Sequence, residues 1–423
     1  MLLTLKLLAL SPALALRFRL VVIAAGAGAL AGIAYTLLTG AEVPTVRACI
    51  AAILVLLGIA LGRDALTLRL VAVGALIVLL FWPETLPGPS FQMSFAAIVA
   101  IVVLHDHPRI RGLLERRDEA GPVKLGRFLL ALILTGLAVE LALIPIALFH
   151  FHQAGLYGAL ANIVAIPLTT FVIMPLEALA LLLDLFGLGA PVWWLTGKAL
   201  SFLLWLAHTT AHAPGAVALL PAMPRGAFAL TVAGGLWLCL WRTRWRVFGL
   251  APAAAGVLWA LATPAPDLLI TGEGRHLAIR TEGALALLRP RAGDYTRDML
   301  AETSGMAAEP LELDSLPAAA CSPDLCIADV TQDGQTFRIL AVRSDRYVPL
   351  AELSRACAEA DIAVAERRLP RTCRPRWLKA DRRLLERTGG LAIVLGEEPI
   401  VSSVAEQQGR HPWVPLARAP TTR

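Results

Sequence analysis

Six ionisable residues stand within or beside long apolar runs of this chain: Glu140, Glu177, Asp184, Lys198, His208 and His212. Hydrocarbon offers such groups no partner, so each must reach an interface, bond to a neighbour or line a wet cavity. Glu177, Asp184 and Lys198 lie near run ends and reach the interface. His208 and His212, four apart, can share a helix face, but Ala213-Pro214 follows at once and favours an interfacial place. Glu140 lies in mid-run and is the candidate for a pore wall. Gln92 and Ser94 are polar groups in an otherwise apolar helix and face the same choice between interhelical bonding and a wet cavity. Asn162, followed by Pro167 and Pro175, reads as the mark of an interrupted helix, which is tolerated at membrane depth only where it is buried or lines a cavity.

The elements that must position these residues follow from composition. Hydrophobic residues make up 57% of the 423 and charged residues 17%, well below the ~25% charge of an ordinary soluble domain. Residues 1–264 hold 17 Lys/Arg and 10 Asp/Glu, whereas 265–423 hold 21 and 22. The first stretch reads as a polytopic membrane domain, the second as a soluble one. A span needs ~20 apolar residues, and the candidates are 20–39, 48–62, 70–82, 91–104, 128–149, 158–184, 191–211, 226–240 and 247–263. The second to fourth are short and are expected to tilt or to extend into their flanks. With nine alternating spans, four basic clusters (Lys6/Arg17/Arg19, Arg63/Arg69, Arg109–Arg127 and Arg242/Arg244/Arg246) fall on one side. The positive-inside rule makes that side cytoplasmic and sends the tail to the far side, the periplasm of a Gram-negative cell. Arg47 and Arg225 are nearly all that the opposite loops carry.

The tail alternates short β-like runs (267–271, 276–280, 284–288, 325–330, 337–342, 361–365, 391–395) with helical patterns near 293–304, 349–359 and 376–386. The expectation is an α/β domain, in the form of a two-sheet sandwich with covering helices. Cys321, Cys326, Cys357 and Cys373 fall here. In an oxidising compartment an even number points to disulfides. Of three pairings the local one, 321–326 with 357–373, is favoured. Free thiols and a four-thiolate zinc site remain as alternatives, although the spacings lack the two-residue gap of a zinc knuckle. Residues 367–387 carry nine basic residues against Asp381 and Glu386. Among them, Arg367, Arg368, Arg371, Arg374, Arg376 and Lys379 surround Trp377, a pattern of cations for phosphates and an aromatic for a base. A solvated helix face or a surface for anionic lipid is the competing reading.

The core Ser90-Phe91-Gln92-Met93-Ser94-Phe95, together with Ala161-Asn162, Ile166-Pro167 and Pro175, resembles the competence domain of ComEC-type DNA-internalisation proteins. The tail, with Arg367–Lys379 at its heart, resembles that of the alphaproteobacterial branch. The resemblance implies a multipass inner-membrane protein conducting one strand of transforming DNA. It makes Phe91, Gln92, Ser94, Phe95, Asn162, Pro167 and Pro175 candidates for channel or helix packing beside Glu140, which its mid-run place already singled out, and it implies a metallo-β-lactamase-like tail. Single-stranded DNA and the bilayer are the implied partners. No G-x-x-x-x-G-K loop occurs, so a separate ATP-driven motor is expected, along with a periplasmic DNA-receptor protein. Two departures qualify this. The family's N-terminal region is not found ahead of the competence-type stretch. The H-x-H-x-D-H ligands of a zinc nuclease are also missing: the tail has His276 and His411, and Glu366-Arg367-Arg368 stand where H-H-G follows the strand in active relatives. The tail is therefore expected to be a degenerate, noncatalytic sandwich without metal or cofactor. A permease or flippase for a small or lipid-linked solute, and a noncatalytic scaffold or fragment, are the alternatives.

Overall fold

The computed structural model describes residues 4–5, 18–62, 67–114, 121–220, 223–281, 283–289, 291–306, 309–346 and 348–408. His411 and most residues of the first two basic clusters lie outside them. Each of the nine apolar runs is a helix: α1 (Leu20–Leu38), α2 (Val43–Ala60), α3 (Leu68–Phe81), α4 (Pro89–Asp106), α6 (Gly121–Phe151), α7 continuing into α8 (Gly158–Leu168, Met174–Asp184), α9 (Ala190–Ala211), α10 (Arg225–Leu240) and α11 (Leu250–Ala262). A short helix, α5 (Pro108–Leu114), was not expected. Among the described residues, six helical stretches are long and apolar enough to cross a membrane: α1, α2, α4, α6, Gly158–Asp184 and Arg244–Ala262. Helices α3 and α10 are apolar but shorter. Two short runs do extend into their flanks, because Pro44 and Pro89 at the first turns of α2 and α4 start each helix early; α3 stays at 14 residues.

The described residues form two compact units, one drawn from 1–150, 154–218 and 230–254, the other from 151–153, 219–229 and 255–423. In the first unit, large apolar side chains face outward: Leu30, Leu141 and Phe171 are about 70% exposed. Small residues bring its helices together. A Cβ on Gly234 of α10 would lie 2.5 Å from Ala253 N and 2.6 Å from Gly249 O, so only glycine permits this crossing with α11. Arg242 pairs with Asp106 at 2.8 Å, which brings the chain just beyond α10 and the end of α4 to one end of the unit. These are the ends where two of the basic clusters were expected to meet.

Ahead of the tail, β1 (Gln153–Gly155) and β2 (Val217–Leu219) form a two-stranded sheet, and the tail holds two larger ones. The six-stranded sheet runs β13 (Ile400–Ser403), β12 (Gly390–Val394), β3 (Leu268–Thr271), β4 (Leu277–Thr281), β5 (Ala284–Leu287) and β6 (Leu311–Glu312). The five-stranded sheet runs β11 (Leu378–Ala380), β10 (Ile362–Val364), β9 (Gln335–Val342), β8 (Leu325–Gln332) and β7 (Ala319–Cys321). The seven expected β runs are strands; β6, β7, β11 and β13 were missed, being two to four residues long. Alternation explains the layering. Leu268, Ile270, Ile279, Ile339, Ala341, Ile362 and Ile393 fill one core between the sheets. Leu269, Ala278 and Leu287 turn to the other face of the first sheet with Leu300 of α12 (Asp294–Ser304). Leu340 and Val342 turn to the outer face of the second with Leu353 and Cys357 of α13 (Leu350–Glu359). Both sheets are therefore apolar on both faces and carry helices outside. Asp267, 2% exposed, locks the first sheet: it accepts from Arg280 (2.7 Å) and from Leu395 N (2.8 Å).

One helical expectation is corrected. The pattern at 376–386 is a strand followed by a short helix, β11 and then α14 (Arg382–Thr388). Asp381 stops the strand and caps the helix, accepting from Arg383 N and Leu384 N.

Candidate functional site

Ser90–Phe95 occupy the first turns of α4, after a 3₁₀ turn at Pro83–Thr85 and an N-cap, Gly88, whose lack of a side chain leaves the helix start open to other partners. Two polar side chains of the motif, Ser90 and Gln92, find bonds. Ser90 Oγ accepts from Nη2 of Arg47 on α2. Gln92 Nε2 donates to Leu86 O (3.1 Å), and its Oε1 lies 2.9 Å from Nε2 of His150 at the end of α6. Phe91 is buried, and its ring sits 4.4 Å from that of Phe95. Ser94 and Phe95 face a cavity of about 320 Å³ that Arg47 also lines. The motif thus ties α4 to α2 and to α6. The sequence reading had missed Arg47 and His150 as partners. The available signal was an arginine five residues into an apolar helix with no acid beside it.

Glu140 is half-buried on α6. Its Oε1 accepts from Gly158 N (3.1 Å) and its Oε2 from Ala159 N (3.0 Å). Tyr157, the N-cap of α7, supplies no side-chain capping bond, so a carboxylate from another helix satisfies two orphan donors at the positive end of the helix dipole. Gly136, one turn before Glu140, permits the approach, since a Cβ there would lie 3.3 Å from that of Ala159. Glu140 and Asn162 both line a second cavity, of about 370 Å³, with Met93 of α4. Pro167 and Pro175 do not interrupt the helix. The run from Gly158 to Asp184 continues through a π turn at Thr169–Ile173, where Met174 N bonds to Thr169 O five residues back. The wide turn absorbs the missing donors, and Thr169 Oγ1 bonds back to Ala165 O at 2.7 Å.

The other intramembrane candidates have local roles. Asp184 accepts from Trp193 Nε1 (2.6 Å) across the α8–α9 turn. Lys198 stands over Trp194, 5.6 Å from the ring centre. His212 Nδ1 bonds to His208 O.

In the tail, the seven residues of the basic segment separate into two groups. Arg367 donates to Arg346 O (2.9 Å), Lys379 donates to Pro370 O (2.8 Å) and Leu369 O (3.2 Å), and Arg376 pairs with Asp361 at 3.6 Å. Arg368, Arg371, Arg374 and Trp377 are exposed, and so is the paired Arg376. The cysteines stand at disulfide-bonding distance in the local pairing, Cys321–Cys326 and Cys357–Cys373. The first pair follows from register, since the two residues oppose each other on β7 and β8. The second ties α13 to the loop before β11. Cysteine bridges in this region fit an extracytoplasmic location.

Where the ends of β5, β9 and β10 meet, guanidinium groups gather. Arg289 pairs with Glu366 (3.3 Å) and donates to Arg343 O (2.6 Å), and Arg343 pairs with Asp314 (3.5 Å). His276 lies close enough that Arg275 and Arg289 add to the burial that lowers its pKa. Among the described residues, no group of three or more His, Cys, Asp or Glu side chains is placed to hold a metal ion. Residues 1–245 match the family model described as Competence protein. The chain belongs to the competence protein family. It is 28% identical over 258 residues to Uncharacterized protein YcaI of Escherichia coli K12, and 27% identical over 141 residues to ComE operon protein 3 of Bacillus subtilis 168. These alignments cover 56% and 33% of this chain, but only 28% and 16% of the two relatives. No solved structure matches the chain.

Proposed function

We propose that this competence-family chain is an inner-membrane channel component for uptake of single-stranded DNA. Family membership over 1–245 carries the reading. It is supported by the way Gln92 and Glu140 join α4, α6 and α7 beside two cavities that Ser94 and Asn162 help to line. In this reading nine helices cross the membrane with their basic ends in the cytoplasm, and the tail lies on the far side. The tail is a noncatalytic, metallo-β-lactamase-like sandwich stapled by its disulfides. The arginines at its strand ends pair with acids and a carbonyl. Exposed Arg368, Arg371 and Arg374 meet phosphates while Trp377 stacks a base, and a separate ATP-driven motor and a receptor for DNA complete the apparatus. Deletion of the gene in its host is expected to abolish entry of labelled DNA into the cytoplasm while leaving surface binding intact. Normal entry in the deletion strain would refute the proposal.

A further inference from the structure

Arg47 is 8% exposed, yet its Nε and Nη1 have no hydrogen-bond partner, and no carboxylate among the described residues pairs with it. Only Nη2 is used, on Ser90. A guanidinium stays charged in proteins, and a buried cation with unmade donors is costly unless an anion meets it. Arg47 also stands at one end of an elongated groove. One face of α2 from Pro44 to Val55, one face of α3 from Thr67 to Val78, and Ser94–Ile98 of α4 enclose about 320 Å³. The eleven-residue step along α2 makes the groove roughly 16 Å long. Gly74 keeps it open, since a Cβ there would already touch Leu54 at 3.4 Å.

We propose that this groove is a binding site for an anionic phospholipid, with the phosphodiester on Arg47 and an acyl chain along α2 and α3. Charge complementarity selects the head: the Nη2 hydrogen that Ser90 leaves free pairs with Nε–H or Nη1–H in a two-point contact with phosphate oxygens, and a head without an ammonium group leaves that phosphate's charge to Arg47. The aliphatic wall selects the tail. A DNA strand would call for repeated cations and stacking rings, whereas the lining offers one arginine and one aromatic, Phe95.

The test uses the full chain, purified in mild detergent with equal amounts of dioleoyl phosphatidylglycerol and dioleoyl phosphatidylcholine, and counts retained lipid by mass spectrometry. The wild type is expected to retain the anionic lipid over the zwitterionic one by about fivefold, the scale of one basic residue beside anionic lipid. R47Q should abolish that preference and R47K keep part of it. G74L, which leaves Arg47 intact and fills the groove, should lower retention of both lipids. Equal retention by the wild type overturns the proposal whatever the variants do, and so does an R47Q protein that keeps the preference. Loss of oligothymidylate binding in R47Q with unchanged lipid retention also overturns it, and would assign Arg47 to DNA.

Discussion

The two halves of this chain use the same side chains in opposite ways. Leu30, Leu141 and Phe171 of the helical half stand about 70% exposed, whereas Leu268, Ile279 and Ile362 of the tail are fully buried. In the helical half the solvent expected around the helices is itself apolar, so outward leucines cost nothing and cohesion must come from elsewhere. It comes from close approach at Gly136 and Gly234 and from polar bonds such as Gln92–His150 and Glu140 with the α7 amides. In the tail the apolar residues supply cohesion directly, and polar groups act as locks: Asp267 with Arg280, and Asp329 with Arg338, whose paired hydrogen bonds hold the Asp329 carboxyl below its usual range. A polar bond therefore joins elements in one half and secures an existing core in the other.

The sharpest way to break this contrast is to remove a lock from each side. Asp267→Ala leaves Arg280 and Leu395 N without their carboxylate and should cost the tail about 3–5 kcal/mol. Pulse proteolysis of the full chain is expected to show a released tail and intact helices, while Gly234→Leu should do the reverse; equal damage to both halves by either variant would count against independent cohesion. The disulfides come next. Cys357→Ser opens a bridge of sequence separation 16, worth about 3 kcal/mol by loop entropy. Cys321→Ser opens one of separation 5 and should cost nearer ~2 kcal/mol. Denaturant unfolding of the tail in the full chain would rank them, and the opposite order would mean that α13 is held by its apolar face and not by its bridge.

The smallest effect concerns His276. Burial, then Arg275 and Arg289, lower its pKa from the ordinary value near 6.5. Its neutral form is favoured by the fold, so the associated stability is complete above about pH 6.5 and is lost as pH falls toward the lowered value. The tail should resist proteolysis better at pH 7.5 than at 5.5, and His276→Gln should flatten that difference. A variant with an unchanged pH profile would clear His276 of the role.

Much of this was legible in one dimension. The nine apolar runs needed only their length and hydropathy, and the seven β runs only short β-like stretches bounded by turns, both of which are local properties. The local pairing of the cysteines was favoured for their compartment and short loops, and the β7–β8 register shows why Cys321 and Cys326 meet. The short strands escaped notice because two to four residues carry no readable period. The stretch at 376–386 misled because a run of charged residues around two leucines suits an exposed helix. Only Asp381, placed to cap Arg383 and Leu384, marks the true boundary. Proline spacing at 167 and 175 signalled a break, yet a π turn closes the gap without one.

The sequence by itself determined the division into an apolar half and a mixed half, the helices and longer strands, and the competence-type motif at 90–95. These depend on composition and local repeat, which folding does not alter. Only the tertiary structure decided that Ser90 receives Arg47, that Gln92 meets His150 across 58 positions, and that Glu140 serves as the cap for another helix. It also turned Arg367 and Lys379 to backbone carbonyls and left Arg368, Arg371 and Arg374 to the solvent. Such pairings join residues far apart in the chain, and they are set by which helix faces and strand ends packing brings within ~3 Å of one another.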